Sequence, residues 1–106
     1  MDENVIKEAV NRLVEKFNPY KVILFGSQAE GRADPRSDVD FLVICDIAKK
    51  RRELALEMDR ALSGLSIPVD IVILTPEEFE IDCIIPGTIA RPAFLHGKVL
   101  YNSVKQ

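Results

Sequence analysis

At 106 residues, 47% hydrophobic and 29% charged, the chain has the make-up of one soluble globular domain, residues 1–106, and not of a disordered or fibrous polymer. No apolar run approaches the ~20 residues of a membrane span, and Met1-Asp2-Glu3-Asn4 lacks the basic head of a signal peptide, so a cytoplasmic address and no membrane contact are expected. The net charge of −3 speaks against a general nucleic-acid binder, which needs a basic footprint, and favours a small substrate or a protein partner.

The chain opens with Val5, Ile6, Ala9, Val10, Leu13, Val14 and Phe17 at i, i+3, i+4 spacing, which predicts an amphipathic helix over about 2–17. Asp2 and Glu3 sit at its positive end, and Asn18-Pro19 stops it. Val22-Ile23-Leu24-Phe25 is a short continuous apolar run suited to an interior strand. After Gly26-Ser27, a helical turn through Glu30 leaves backbone N–H groups free to meet a phosphate, and Gly31 can end that turn. The polar loop from Arg32 to Ser37, with Asp34-Pro35 inside it, makes a hairpin-like connection to a second strand, Asp38 to Cys45.

A second helix is predicted over about 48–63, with Leu54, Leu56, Met58, Ala61 and Leu62 as its apolar positions and Gly64 at its end. Ile67 to Leu74 reads as a third strand, with Pro68 near its start, where a ladder tolerates proline. Thr75-Pro76-Glu77-Glu78 has the form of a capping box that opens a helix. Pro86-Gly87 and Pro92 break the pattern that would otherwise run from Glu77 to Leu95. A short helix, a turn and another short helix near 90–95 are therefore expected, before Gly97 releases Lys98-Val99-Leu100-Tyr101 as an edge strand. Cys45 and Cys83 lack metal-ligand spacing and are expected to be packed, reduced thiols.

The chemistry concentrates between Leu24 and Ile44. Residues two apart on a strand share a face, so Asp38 and Asp40 can aim at one spot. Two metal ions ~3.5–4 Å apart need carboxylates that converge in this way. Mg²⁺ suits the pair, because it takes hard oxygen ligands and completes its shell with water and phosphate. Gly26 permits close approach of backbone to phosphate, and Ser27 can donate its hydroxyl and backbone N–H to non-bridging oxygens. The eleven-residue spacing from Ser27 to Asp38 brings cradle and carboxylates together around one triphosphate. Ser37 either steadies the loop beside Asp38 or is a plain turn residue. Arg32 and Arg36 flank the site and either neutralise pyrophosphate or are simply solvated. Asp70 is the odd residue of an apolar strand, where an ionised carboxylate costs several kcal/mol unless something compensates it, the alternative being an aspartate at a solvent-exposed strand end. The run Lys49-Lys50-Arg51-Arg52 reads as a solvated helix face, and His96 has no nucleophile or orienting carboxylate near it in sequence.

The pattern G-S-x-x-x-G-x-x-x-x-x-S-D-x-D, formed by Gly26, Ser27, Gly31, Ser37, Asp38 and Asp40, resembles the signature of the nucleotidyltransferase superfamily that includes DNA polymerase β. Short length and the order of helices and strands make it similar to the minimal nucleotidyltransferase (MNT) proteins. The resemblance implies an α/β (α+β) fold with a small mixed sheet of about four strands and helices mainly on one face. It also implies transfer of a nucleotidyl group from an NTP, here taken as AMP from ATP, with two Mg²⁺ ions. Asp70 matches the third carboxylate, which completes the metal site and can take the proton from the attacking hydroxyl. Many such proteins are partnered with HEPN-domain toxins and silence them by adenylylating a tyrosine. A non-catalytic nucleotide-binding antitoxin that neutralises its partner by contact is the alternative, and an edge strand leaves self-association open. Transfer to a small molecule such as an aminoglycoside is disfavoured, since such relatives usually carry an added helical domain.

Overall fold

The computed structural model describes residues 3–26, 39–66 and 68–103. Four helices and four strands follow in the order α1 (Glu3–Phe17), β1 (Lys21–Phe25), β2 (Val39–Ile44), α2 (Arg51–Ala61), β3 (Val69–Leu74), α3 (Pro76–Asp82), α4 (Ala90–His96) and β4 (Lys98–Asn102). The strands form one mixed sheet in the order β3-β2-β1-β4. β1 runs antiparallel to both β2 and β4, while β2 and β3 are parallel, a pairing that needs a crossover and receives it from α2. β4 is an edge strand, as expected, and β3 forms the other edge.

The central strands are apolar throughout because both of their faces are covered. Val22, Leu24, Val39, Phe41 and Val43 pack against Ala9, Val10 and Leu13 of α1 and Leu54 and Met58 of α2. The alternate residues Ile23, Leu42 and Ile44 close on Ala93 of α4, with Phe25, Val72, Leu74 and Phe79 around them. The two longer helices thus share one face, and the two short ones cover part of the other.

Local signals explain the helix ends. At the end of α1, Asn18 takes φ +49, the left-handed region that Asn tolerates, and its N–H donates to the Val14 carbonyl at 3.1 Å. Arg12 ties α1 to the end of α2, its Nη1 donating to the Ala61 and Ser63 carbonyls at 3.3 and 3.0 Å. α2 is shorter than the predicted span, since Lys50 makes no side-chain cap at its start. Lys49 instead reaches Glu57 at 2.8 Å and Arg51 reaches Glu78 at 2.8 Å, so part of the basic run is engaged in exposed ion pairs. Pro92 falls in the first turn of α4, where its missing N–H has no intrahelical acceptor to lose. Cys45 and Cys83 are buried free thiols, and burial, followed by the Asp46 charge, pushes the Cys45 pKa up.

The capping box of α3 is complete: the Glu78 N–H donates to Thr75 Oγ1 at 3.1 Å, and the Thr75 N–H donates to Glu78 Oε1 at 2.9 Å. The Arg51 hydrogen bond and then the Thr75 N–H hold the Glu78 carboxyl below its ordinary value of 4.5. A depressed carboxyl stabilises the fold above its unfolded pKa and loses that contribution as pH falls through the folded value. Thr75→Ala is therefore expected to cost about 1 kcal/mol in urea unfolding at neutral pH. Glu78→Gln is expected to flatten the loss of stability on acidification below pH 4.5.

Candidate active site

The site is assembled where β1 ends and β2 and β3 begin. Phe25 lies opposite Asp40 in the antiparallel pair, and Asp40 lies beside Asp70 in the parallel pair. Parallel neighbours in register present their side chains to the same face, ~4.8 Å apart between strands. Strand alternation puts Asp40 with Leu42 and Ile44, and Asp70 with Val72 and Leu74, on the face partly covered by α3 and α4.

Gly26 follows directly on β1 and has φ +78, a conformation that side chains disfavour. A Cβ built there would stand 2.5 Å from Asp40 Oδ2. The glycine is therefore required twice over, by its backbone conformation and by the carboxylate beside it. Sequence reasoning assigned its smallness to a phosphate, whereas the group observed against it is Asp40.

Asp70 differs from expectation in one respect. It is exposed, because it is the second residue of an edge strand, so the cost of a buried charge does not apply to it. What distinguishes it is its register with Asp40. Asp40 itself is half-buried, and the described residues contain no fully buried polar or charged side chain. Ser27, Arg32, Ser37 and Asp38, the other predicted site residues, lie outside the described residues, as do Gly31 and Arg36. His96 ends α4, away from these carboxylates in the chain and on a different element.

The donors fit a hard divalent cation. Asp40 and Asp70 offer carboxylate oxygens from adjacent in-register strands, and the space a side chain would fill at Gly26 adjoins one of those oxygens. Among the described residues no three His, Cys, Asp or Glu side chains form a group able to hold a metal, and Asp38 is outside that set. Acidic strand starts beside a glycine turn are an arrangement that phosphoryl-transfer chemistry can use.

Comparison with known proteins agrees with this class. The model of the nucleotidyltransferase domain matches residues 6–95, and the chain belongs to that family. A Methanocaldococcus jannaschii protein named putative protein adenylyltransferase MJ0604 is 44% identical over 48 residues, a stretch that covers 43% of this chain and 48% of that one. The chain thus spans about half the length of that curated relative. A chain from a toxin–antitoxin complex crystallised with AMP-PNP superimposes with a TM-score of 0.60 at 23% identity, covering 97% of this chain and 75% of its own length. A chain from the complex of a tri-AMPylated Shewanella oneidensis HEPN toxin with an MNT antitoxin gives 0.58 at 20% identity, covering 97% and 74%. At these identities the two structures establish the shared fold: a mixed four-stranded nucleotidyltransferase sheet with helices.

Proposed function

We propose that this chain is a Mg²⁺-dependent nucleotidyltransferase that moves AMP from ATP to a tyrosine hydroxyl of a HEPN-type toxin, and so acts as an antitoxin. The observation that carries the reading is the in-register pairing of Asp40 with Asp70 beside Gly26. Family membership supports transfer of a nucleotidyl group. The name of the archaeal relative supports adenylyl transfer to protein, and the toxin–antitoxin likenesses support the kind of partner. Two free buried thiols suit a reducing cytoplasm.

In this reading Asp38, Asp40 and Asp70 would hold two Mg²⁺ ions. Bound there, Mg²⁺ supplies the Lewis acidity that polarises the α-phosphate and neutralises charge on the triphosphate. Gly26 and Ser27 receive the β- and γ-phosphates, Ser37 steadies the loop, and Arg32 offsets charge on pyrophosphate. The acceptor oxygen forms a bond to the α-phosphorus as the bond to the bridging oxygen breaks, and pyrophosphate departs in line. Asp70 accepts the hydroxyl proton. Positioning and charge neutralisation carry the rate, because the chain supplies no covalent step of its own.

Labelled ATP separates this reaction from a kinase-like one. Label in the α-phosphate is expected to enter the acceptor protein only with Mg²⁺ present, and label in the γ-phosphate is expected to stay out of it. Incorporation of the γ-label would sink the nucleotidyl-transfer reading.

A further inference from the structure

The outer surface of α3 and α4 is unusually apolar. Of the nine large hydrophobic residues exposed among the described residues, six fall here: Ile81, Ile84, Ile85, Ile89, Phe94 and Leu95. Ile84 is 71% exposed and Ile81 60%, values far from those of core residues. α4 turns Ala90 and Ala93 inward, which leaves Phe94 and Leu95 facing out. Isolated exposed apolar residues are ordinary, whereas a cluster on one helix-turn-helix layer marks a contact surface.

Charge around this surface is mainly negative, and its one Arg, Arg91 of α4, donates to the Cys83 carbonyl at 3.1 Å. The segment from Pro76 to Ala90 contains four acidic residues and no Lys or Arg. Glu78 is engaged by Arg51, while Glu77, Glu80 and Asp82 make no ion pair among the described residues. Phe79 connects the patch to a cleft of about 330 Å³, since its ring meets that of Phe94 edge-on with centroids 6.3 Å apart, and it also lines the cleft. The cleft walls bring Asp46 and Glu77 against one cation, Lys21, and the Tyr20 hydroxyl donates to Asp46 Oδ2 at 3.0 Å. Aromatic walls with excess carboxylate suit the side chain of a Lys or Arg.

We propose that α3, α4 and this cleft form the docking surface for a partner protein whose apolar contact patch is edged by Lys and Arg. This deepens the reading above, in which a partner presents the acceptor hydroxyl, and rests on it. A two-fold contact between copies of this chain would set the acidic rim against itself. Anionic headgroups would be repelled in the same way. A protein with a basic edge meets both the apolar and the acidic features. The location also serves transfer: the cleft residue Ile44 lies four residues along β2 from Asp40 on the same sheet face, about 13 Å at ~3.3 Å per residue. A partner seated here has the carboxylates of the site within reach of a flexible loop.

The test is calorimetric titration of the full chain with the HEPN-type partner proposed above, at low and high salt. The variant Ile84→Glu with Ile85→Glu is expected to bind about 100-fold more weakly while binding Mg²⁺ and ATP as wild type does, which reports an intact fold. Leu56→Glu, at an exposed apolar position on α2, is expected to bind the partner normally. Wild-type affinity is expected to fall as salt rises. The docking assignment fails if the double variant binds as tightly as wild type, or if wild type does not bind at all. It also fails if sedimentation shows the chain dimerising, or phosphatidylserine vesicles capturing it, through this face. Binding that is lost in the double variant while no nucleotide is ever transferred would leave the docking surface standing and remove the transfer reading alone.

Discussion

Asp40→Asn is expected to lower the rate of nucleotidyl transfer by about 10²–10³-fold, the cost of removing one preorganised charge-stabilising group from such a site. The substitution keeps the shape of the side chain and removes its charge. Fold stability should change little, because the packing of β2 is carried by Val39, Phe41, Leu42 and Val43, all fully buried, and Asp40 is only half-buried. Asp70→Asn should impair transfer as well, since the two carboxylates face one site from neighbouring strands. Rates measured by pyrophosphate release, alongside urea unfolding of each variant, check both statements. Full activity in Asp40→Asn would remove this carboxylate from the chemistry.

Gly26→Ala has the second large effect, and its cause can be isolated. An L side chain at φ +78 costs about 1–2 kcal/mol. The new Cβ would also stand 2.5 Å from Asp40 Oδ2, so the carboxylate must move. A displacement of ~1 Å at a reacting centre can cost about 100-fold in rate. Gly64→Ala supplies the control, for Gly64 has φ +90 and nothing within 4 Å of an added Cβ. Gly26→Ala should lose at least as much stability as Gly64→Ala, and only Gly26→Ala should lose transfer. Equal activity of the two would show that the clash with Asp40 is harmless.

Much of the architecture was legible because it rests on local rules. The apolar spacing of α1, the Asn18-Pro19 stop and the Thr75 capping box are each written in adjacent residues, and all three are seen. The continuous apolar run of β1 signalled the interior strand that is seen, whereas the cover on the second face of the sheet, from α3 and α4, was not read from it. Register was not legible. That Asp40 pairs with Asp70 depends on how two parallel strands slide past each other, and no local pattern records it. The exposure of Asp70 was the lesser of two readings for a related reason, since its apolar neighbours resemble those of an interior strand while β3 in fact lies at the sheet edge.

The α3–α4 surface escaped sequence reading differently. Ile81, Ile84, Ile85 and Ile89 look like core residues in a list of letters, and apolar periodicity does not separate a core from a surface that awaits a partner. The short spans allowed by Pro86-Gly87 carried the hint, because a seven-residue helix has room for only one inward turn. On α4 the alanines occupy that inward side and leave the large residues outside. The role of Gly26 was half legible: a residue without a side chain was expected beside the site, but its positive φ and the Asp40 carboxylate that excludes its Cβ are seen only in the fold.

The most direct measurement is intact-protein mass spectrometry of the proposed HEPN-type partner after incubation with this chain, Mg²⁺ and each NTP in turn. Asp38→Asn with Asp40→Asn is the control. The expected result is a gain of one or more AMP units with ATP, located to tyrosine by fragmentation and absent with the double variant. A stable complex whose partner gains no mass with any NTP would contradict transfer and make the chain an antitoxin that works by contact.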